Sequence, residues 1–392
     1  MMFDAYALLW LLLPLAAGSG WWAARLDQRH RLARSGRDLP SAYFKGLNFL
    51  LNEQPDKAIE VFTKVLAVDS DTVEIHLALG NLFRRRGEVE RAIRIHQNLI
   101  ARPNLDKQQR SHALLELGQD YLKAGLFDRA ENLFLELSET RLHNEQALRF
   151  LTQIYQQEKE WDKAIDMCRT LAQVSGKNYD DVIAQFYCEQ AEQARAGQNL
   201  PEARALIRQA LASDRNCVRA SMLLGDIEAQ EGRQREAIKA WMRIEEQDPH
   251  YLVEVAERIA ESFRRLDDES GLYAYLSGVL QQHGGVALML ALAEAIRRRD
   301  GVVAAETFVA DWLHRRPSVQ GLQYLIDLHL AEAEPSARDD LTLLKGIIGV
   351  LAEQQQGYVC GQCGFRVRSL HWQCPGCKRW NSIRPLPGGV VD

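Results

Sequence analysis

The sequence predicts an all-α chain: a solenoid of helical hairpins, preceded by a membrane-spanning helix and followed by a small metal-held domain. Three observations carry this reading. A pattern of small residues recurs at close to 34-residue steps through most of the 392 residues. A stretch without a charge, residues 5–24, stands near the N-terminus. Four cysteines near the C-terminus fall into two Cys-x-x-Cys pairs.

The uncharged stretch reads AYALLWLLLPLAAGSGWWAA. At a rise of about 1.5 Å per residue, twenty helical residues match the hydrocarbon core of a bilayer. Trp10, Trp21 and Trp22 suit the interface, and a bilayer tolerates a kink at Pro14. A cleaved secretory signal would need a basic leader, whereas Met1-Met2-Phe3-Asp4 offers only an aspartate. The basic residues Arg25, Arg29, Arg31, Arg34 and Arg37 follow the stretch. Positive charge is retained on the cytoplasmic side, so the expected topology is a single-pass bacterial inner-membrane anchor over 1–24. Its N-terminus is periplasmic, its body cytoplasmic, and 25–39 form a basic juxtamembrane linker. Reduced cytoplasmic thiols fit that placement.

Next comes the repeat. An alanine flanked by charge, with a large side chain four residues on, occurs at Ala58 (Phe62), Ala92 (His96), Ala130 (Phe134) and Ala164 (Cys168). It continues at Ala203 (Ile207), Ala237 (Trp241), Gly271 (Tyr275) and Ala305 (Val309), with steps of 34, 38, 34, 39, 34, 34 and 34 residues. Twelve residues earlier stand Gly46, Gly80, Gly118, Ala191, Gly225 and Ala293, and three residues after the first three come Phe49, Phe83 and Tyr121. Small residues let two helices of a hairpin approach closely, and the bulky positions are expected to fill the seam with the next hairpin. This pattern resembles the tetratricopeptide repeat over 40–332, about eight to nine units, which implies a right-handed superhelix. The seventh unit is the weakest, with Gly271 for alanine and Ile259 for glycine. A capping helix is expected over 333–356.

The cysteines Cys360, Cys363, Cys374 and Cys377 can supply four thiolates to one tetrahedral metal ion, iron or zinc. Two disulfides or redox dithiols are the competing reading. Residues 357–392 are too few for a self-sufficient core, so the metal is expected to hold this domain folded. Cys168, Cys188 and Cys217 lie in helical patterns and read as buried small hydrophobes.

Charge is uneven. Residues 46–356 carry 37 Lys and Arg against 49 Asp and Glu, whereas 357–392 carry five basic residues against Asp392. The basic domain suits nucleic acid, an acidic protein surface, or the chain's own acidic solenoid, and the last is preferred. Phe365, His371, Trp372 and Trp380 would give it an apolar face for docking. No Walker A loop, GxGxxG, HExxH or GxSxG occurs, and a closed four-thiolate site has no open position for water. The expectation is a scaffold rather than an enzyme. The positions at which some tetratricopeptide proteins clamp a terminal carboxylate hold Tyr43, Leu47, Ala78, His112 and Glu116 here, so that clamp is absent. Asn81, Arg84, Arg85, Lys123 and Arg149 are candidate groove residues, and solvated charge is the plainer account of each.

Over its full length, this order of parts resembles the lipopolysaccharide assembly protein B family of Gram-negative bacteria. The resemblance rests on the apolar segment through Trp21-Trp22, the repeat anchors, and the run Val359-Cys360-Gly-Gln-Cys363-Gly with Trp372-Gln-Cys374-Pro-Gly-Cys377. The last module is similar to rubredoxin-type and zinc-ribbon domains, although Lys378 stands where rubredoxins usually carry glycine, which favours a structural knuckle. The resemblance implies a cytoplasm-facing adaptor that restrains lipopolysaccharide synthesis. It implies as partners the membrane protease FtsH, its substrate the deacetylase LpxC, and other lipopolysaccharide-assembly membrane proteins. Two other classes stay open: a membrane-tethered nucleic-acid binder using the basic knuckle, and an electron carrier with iron in the thiolates. The preferred reading needs no nucleic acid.

Overall fold

The computed structural model describes residues 44–49, 51–68, 72–140, 142–332, 334–355 and 357–386. The apolar segment 5–24 and the basic linker 25–39 lie outside the described residues. Among the described residues, no helix is long and apolar enough to cross a membrane. The chain divides into two compact units, with the boundary between Glu158 and Lys159.

The first unit holds α1 (44–49), α2 (Pro55–Val68), α3 (Val73–Arg85), α4 (Val89–Ile100), α5 (Lys107–Lys123), α6 (Phe127–Ser138) and α7 (Asn144–Glu158). A size trade sets the spacing inside each hairpin. A Cβ added at Gly46 would lie 2.6 Å from the Phe62 ring, and one added at Gly118 would lie 2.6 Å from Phe134. At Gly80 an added Cβ would collide with His96. The bulky residue of the second helix therefore seats on the glycine of its own hairpin. It also fills the seam with the next hairpin as expected, since Phe134 stacks on Phe150 of α7 with centroids 4.9 Å apart. A helix approaches this closely only where one side chain is absent.

The charged residue before each anchor alanine has a partner in the same hairpin. Lys57 lies over Phe49 at 5.7 Å, Arg91 over Phe83 at 5.5 Å and Arg129 over Tyr121 at 5.7 Å, a repeated cation–π contact. The turn before the second helix uses a left-handed residue, Glu53, Gly87 or Gly125, five positions before each anchor. Glycine suits that backbone without steric cost. Helix α5 starts on a reciprocal capping box between Asp106 and Gln109.

A polar network joins α3, α4 and α5. Arg84 bonds Glu116 at 2.6 Å and Asp120 at 2.8 Å, and Asp120 also meets the buried His96 Nδ1 at 2.5 Å. Arg84 is thus committed to holding hairpins together and is not a free groove residue. Burial pushes the Glu116 carboxyl up, but hydrogen bonds from His112 and Arg84 outweigh it and bring it down to about 2. The bond to Glu116 raises His112.

The second unit holds α8 (Trp161–Ser175), α9 (Asp180–Ala196), α10 (Leu200–Ser213), α11 (Val218–Gln230) and α12 (Gln234–Gln247). It continues through a 3-10 turn (Pro249–Tyr251), α13 (Leu252–Arg265), α14 (Glu269–His283), α15 (Val286–Asp300), α16 (Val302–Arg315), α17 (Val319–Glu332) and α18 (Pro335–Gln355). The size trade recurs here. Trp241 crowds the place of a Cβ on Gly225 and donates its indole N–H to the Met222 carbonyl at 3.2 Å. The weak seventh unit departs where the sequence does: its left-handed turn residue, Asp267, stands four positions before Gly271 rather than five. Three short strands end the described chain: β1 (Tyr358–Cys360), β2 (Arg366–Val367) and β3 (Ile383–Pro385), antiparallel in the order β2-β1-β3.

Two outcomes are expected. Gly118→Ala should destabilise the chain by about 1–3 kcal/mol through overpacking against Phe134, and Phe134→Leu added to it should recover part of the loss in urea titrations. Glu116 contributes stability that is full above its ordinary value of 4.5 and is lost as pH falls toward 2. His112 contributes below its ordinary 6.5 and loses that contribution as pH rises through its higher folded value. The penalty of Glu116→Gln, on the order of 2–3 kcal/mol, should therefore peak between those values and shrink on either side when unfolding is measured against pH.

Candidate metal centre

Each Cys-x-x-Cys pair forms the same turn. Gly364 N–H donates to the Cys360 carbonyl and Lys378 N–H to the Cys374 carbonyl, both at 2.9 Å. Cys360 N–H reaches the Phe365 carbonyl and Cys374 N–H the Arg379 carbonyl, again both at 2.9 Å. The residue after each second cysteine is left-handed, with φ of 74° at Gly364 and 59° at Lys378. The position where rubredoxins carry glycine therefore has the backbone glycine favours, and lysine occupies it at a cost of about 1 kcal/mol or more.

The turns face each other and bring the four Sγ atoms within 4.8 Å of one another. Cys360 and Cys377 stand 3.7 Å apart, as do Cys363 and Cys374. A tetrahedron with metal–sulfur bonds of about 2.3 Å has edges of about 3.8 Å, whereas a disulfide needs about 2.05 Å. The geometry fits one ion held by four thiolates and does not fit paired disulfides. Cys360 and Cys374 are buried and Cys363 is exposed. The Ser382 hydroxyl, 3.4 Å from Cys360 Sγ, brings that thiol down to about 6 against the effect of burial, whereas, against the Phe365 N–H, burial and the other three thiols push Cys363 up to about 11. An ion bound there supplies cross-linking of the two turns and no open coordination position. Around it, among the described residues, the domain buries only Cys360, Cys374 and Ile383 as a core of its own.

The rest of its apolar surface is covered by the second unit. Asp248 ends α12 in extended backbone, and Pro249 opens the turn that presents Tyr251. The Tyr251 hydroxyl donates to the Ile383 carbonyl at 2.6 Å, and its ring stacks on Trp372 with centroids 5.6 Å apart. Burial, then the nearby Asp248 carboxylate, push the Tyr251 hydroxyl up to about 12. Tyr358 donates to Glu254 of α13 at 2.7 Å. Trp380 meets the buried Phe186 of α9 edge-on at 5.9 Å. The guanidinium of Arg219, itself buried and paired with Glu189 and Glu192, lies 5.9 Å from the Trp372 ring.

The expected docking onto the solenoid is therefore present, through Trp372 and Trp380 of the expected apolar face and not through the net charge. Of the five cations of the domain, Arg384 alone forms an ion pair among the described residues, with Asp248 at 3.4 Å. Aromatic packing and two tyrosine hydrogen bonds form the contact. Phe365 and His371, expected at the docking face, are exposed instead. Sequence reasoning missed Tyr251, Tyr358, Glu254, Phe186 and Arg219. The only available signal was an aromatic just past the Asp248-Pro249 helix stop. Cys168, Cys188 and Cys217 are buried as expected, and Cys188 and Cys217 lie 3.8 Å apart, remote in sequence from the metal ligands.

Single Cys→Ser changes at the four knuckle positions should each release metal, because one open corner forfeits much of roughly 10–16 kcal/mol of apparent binding energy. Cys168→Ser and Cys217→Ser should leave metal content unchanged by elemental analysis.

Comparison with known proteins agrees with this architecture. A rubredoxin metal-binding domain family matches residues 358–385, and the tetratricopeptide repeat matches 45–104, 115–180 and 188–251. Lipopolysaccharide assembly protein B of Escherichia coli K12 is 38% identical over 97% of this chain and 98% of its own length. The Haemophilus influenzae protein of the same name is 34% identical over 97% of this chain and 98% of its own. Among solved structures, the C-terminal part of a repeat protein from Cytophaga hutchinsonii is 14% identical, with a TM-score of 0.43, over 64% of this chain and 99% of that one. With relatives matched end to end at these identities, the chain belongs to the lipopolysaccharide assembly protein B family.

Proposed function

We propose that this chain is a non-enzymatic adaptor of lipopolysaccharide assembly, held at the bacterial inner membrane with its body in the cytoplasm. It restrains synthesis by promoting degradation of the deacetylase LpxC by the membrane protease FtsH. The observation that carries the adaptor reading is the fixed seat of the metal domain. A four-thiolate centre without an open position, locked to α9, α11, the Tyr251 turn and α13, acts on shape rather than on a substrate. Tetratricopeptide hairpins present extended surfaces to protein partners, and the name carried by the relatives supplies the pathway. The membrane placement rests on the uncharged segment 5–24 and the basic residues after it.

The test follows LpxC lifetime by pulse-chase in cells whose only copy of the adaptor is wild type or Trp372→Ala/Trp380→Ala. The double variant should keep its metal and lengthen LpxC lifetime several-fold, approaching the effect of depletion, since confinement and shape both raise effective concentration. An LpxC lifetime indifferent to depletion removes the pathway assignment. A lifetime that responds to depletion but not to the double variant removes the role of the docked domain. An alkaline phosphatase fused after Asp392 should be inactive, and activity there would reverse the topology.

A further inference from the structure

The metal domain rests on the two helices that carry a second thiol pair. Cys188 of α9 and Cys217, the N-cap of α11, are buried with their Sγ atoms 3.8 Å apart and 29 positions between them in sequence. Among the described residues no third His, Cys, Asp or Glu joins them to make a metal set. The gap to a disulfide bond of about 2.05 Å is about 1.7 Å, within the swing of one thiol about its Cα–Cβ bond. The two thiols differ in readiness. A thiolate is favoured at a helix N-terminus, where Cys217 stands. The hydrogen bond with the Cys188 thiol holds Cys217 below the ordinary thiol range against burial, whereas burial pushes Cys188 up. A polar path leads outward from Cys217. Gln185 Nε2 donates to Cys217 Sγ at 3.4 Å, and Arg219 donates to Gln185 Oε1 at 3.3 Å. Arg219 in turn pairs with the partly exposed Glu189 and Glu192. The metal domain touches both helices beside this path. Phe186, two residues before Cys188, meets Trp380, and Arg219, two residues after Cys217, faces Trp372.

We propose that Cys188 and Cys217 are a disulfide-forming pair oxidised by hydrogen peroxide, and that the docked metal domain is the lid that keeps them reduced. The Cys217 thiolate attacks one peroxide oxygen and the O–O bond breaks. The hydroxide released takes back the proton that Cys217 had given up and leaves as water, and Cys217 becomes a sulfenic acid. The Cys188 sulfur then attacks the Cys217 sulfur, its proton joins the departing hydroxyl, and a second water leaves. Two thiols lose two electrons in all, and one peroxide gains them. Peroxide is small and polar and suits the path through Gln185 and Arg219, whereas a bulky disulfide such as oxidised glutathione does not fit so deep a pair. Buried thiols without access are inert, and that is their state beneath Trp372 and Trp380. Once the domain lifts, the new bond ties α9 to α11 at the seat it has left. The oxidation does not depend on which pathway the adaptor serves.

The experiment exposes the purified full-length, metal-loaded chain, reduced and in detergent, to hydrogen peroxide and maps disulfides by mass spectrometry of non-reduced digests. The Cys188–Cys217 cross-link should form about tenfold faster in Trp372→Ala/Trp380→Ala than in wild type, at matching metal content and helical circular dichroism. Tyr251→Phe, which removes only the hydroxyl donated to Ile383, should accelerate it to a smaller degree. When Cys188→Ser is added to the double variant, dimedone present in a denaturing quench should trap a sulfenic acid on Cys217. Absence of the Cys188–Cys217 cross-link from both wild type and the double variant overturns the proposal. Equal rates in the two chains overturn it as well, by removing the lid. So does sulfenic acid that forms on Cys188 in Cys217→Ser as fast as on Cys217 in Cys188→Ser, by removing the assigned order of attack.

Discussion

Four thiolates within 4.8 Å of one another repel unless a cation stands among them, and the C-terminal domain is built on that constraint. Among its described residues the private core is three buried side chains, too few to hold about thirty residues of chain against their conformational entropy. The ion closes the two knuckle turns. The turns in turn place β1 and β3 so that Ile383 and Tyr358 can meet Tyr251 and Glu254. Metal binding, domain folding and attachment to the solenoid are thus steps of one assembly, ordered by what each supplies to the next.

Much of this was legible in the residues. The anchor spacing gave the hairpins, and the small residues on both helices gave their close approach. The seam with the next hairpin was legible too, but the added seat of the bulky residue on its own hairpin's glycine was not, because a helical period fixes the face of a helix and not every neighbour it meets. The knuckle spacing likewise gave the four ligands, since two short turns can carry thiolates to one point without help from the rest of the chain.

The docking partners were harder to find for a physical reason. Tyr251 and Ile383 are 132 positions apart, and nothing in local propensity or periodicity couples them. Net charge pointed to the right event by the wrong force. An acidic body and a basic domain suggested ion pairing, whereas the contact is made by the expected Trp372 and Trp380 with tyrosine hydroxyls, and one surface ion pair lies at its rim. Exposed ion pairs contribute little, and a stacked Trp and Tyr remove more apolar surface from water than one arginine can match.

The bond from Tyr251 to Ile383 also changes how the second unit comes apart. In a solenoid each repeat touches only its neighbours, so a fault can open at any point and spread as in a one-dimensional chain. A domain that touches α9, α11 and α13 at once ties non-adjacent repeats to one another. Opening any of those hairpins then costs the contacts of all three. The clasp converts a run of locally fraying hairpins into a block that melts as a whole, and loss of a single metal ion returns it to piecewise opening.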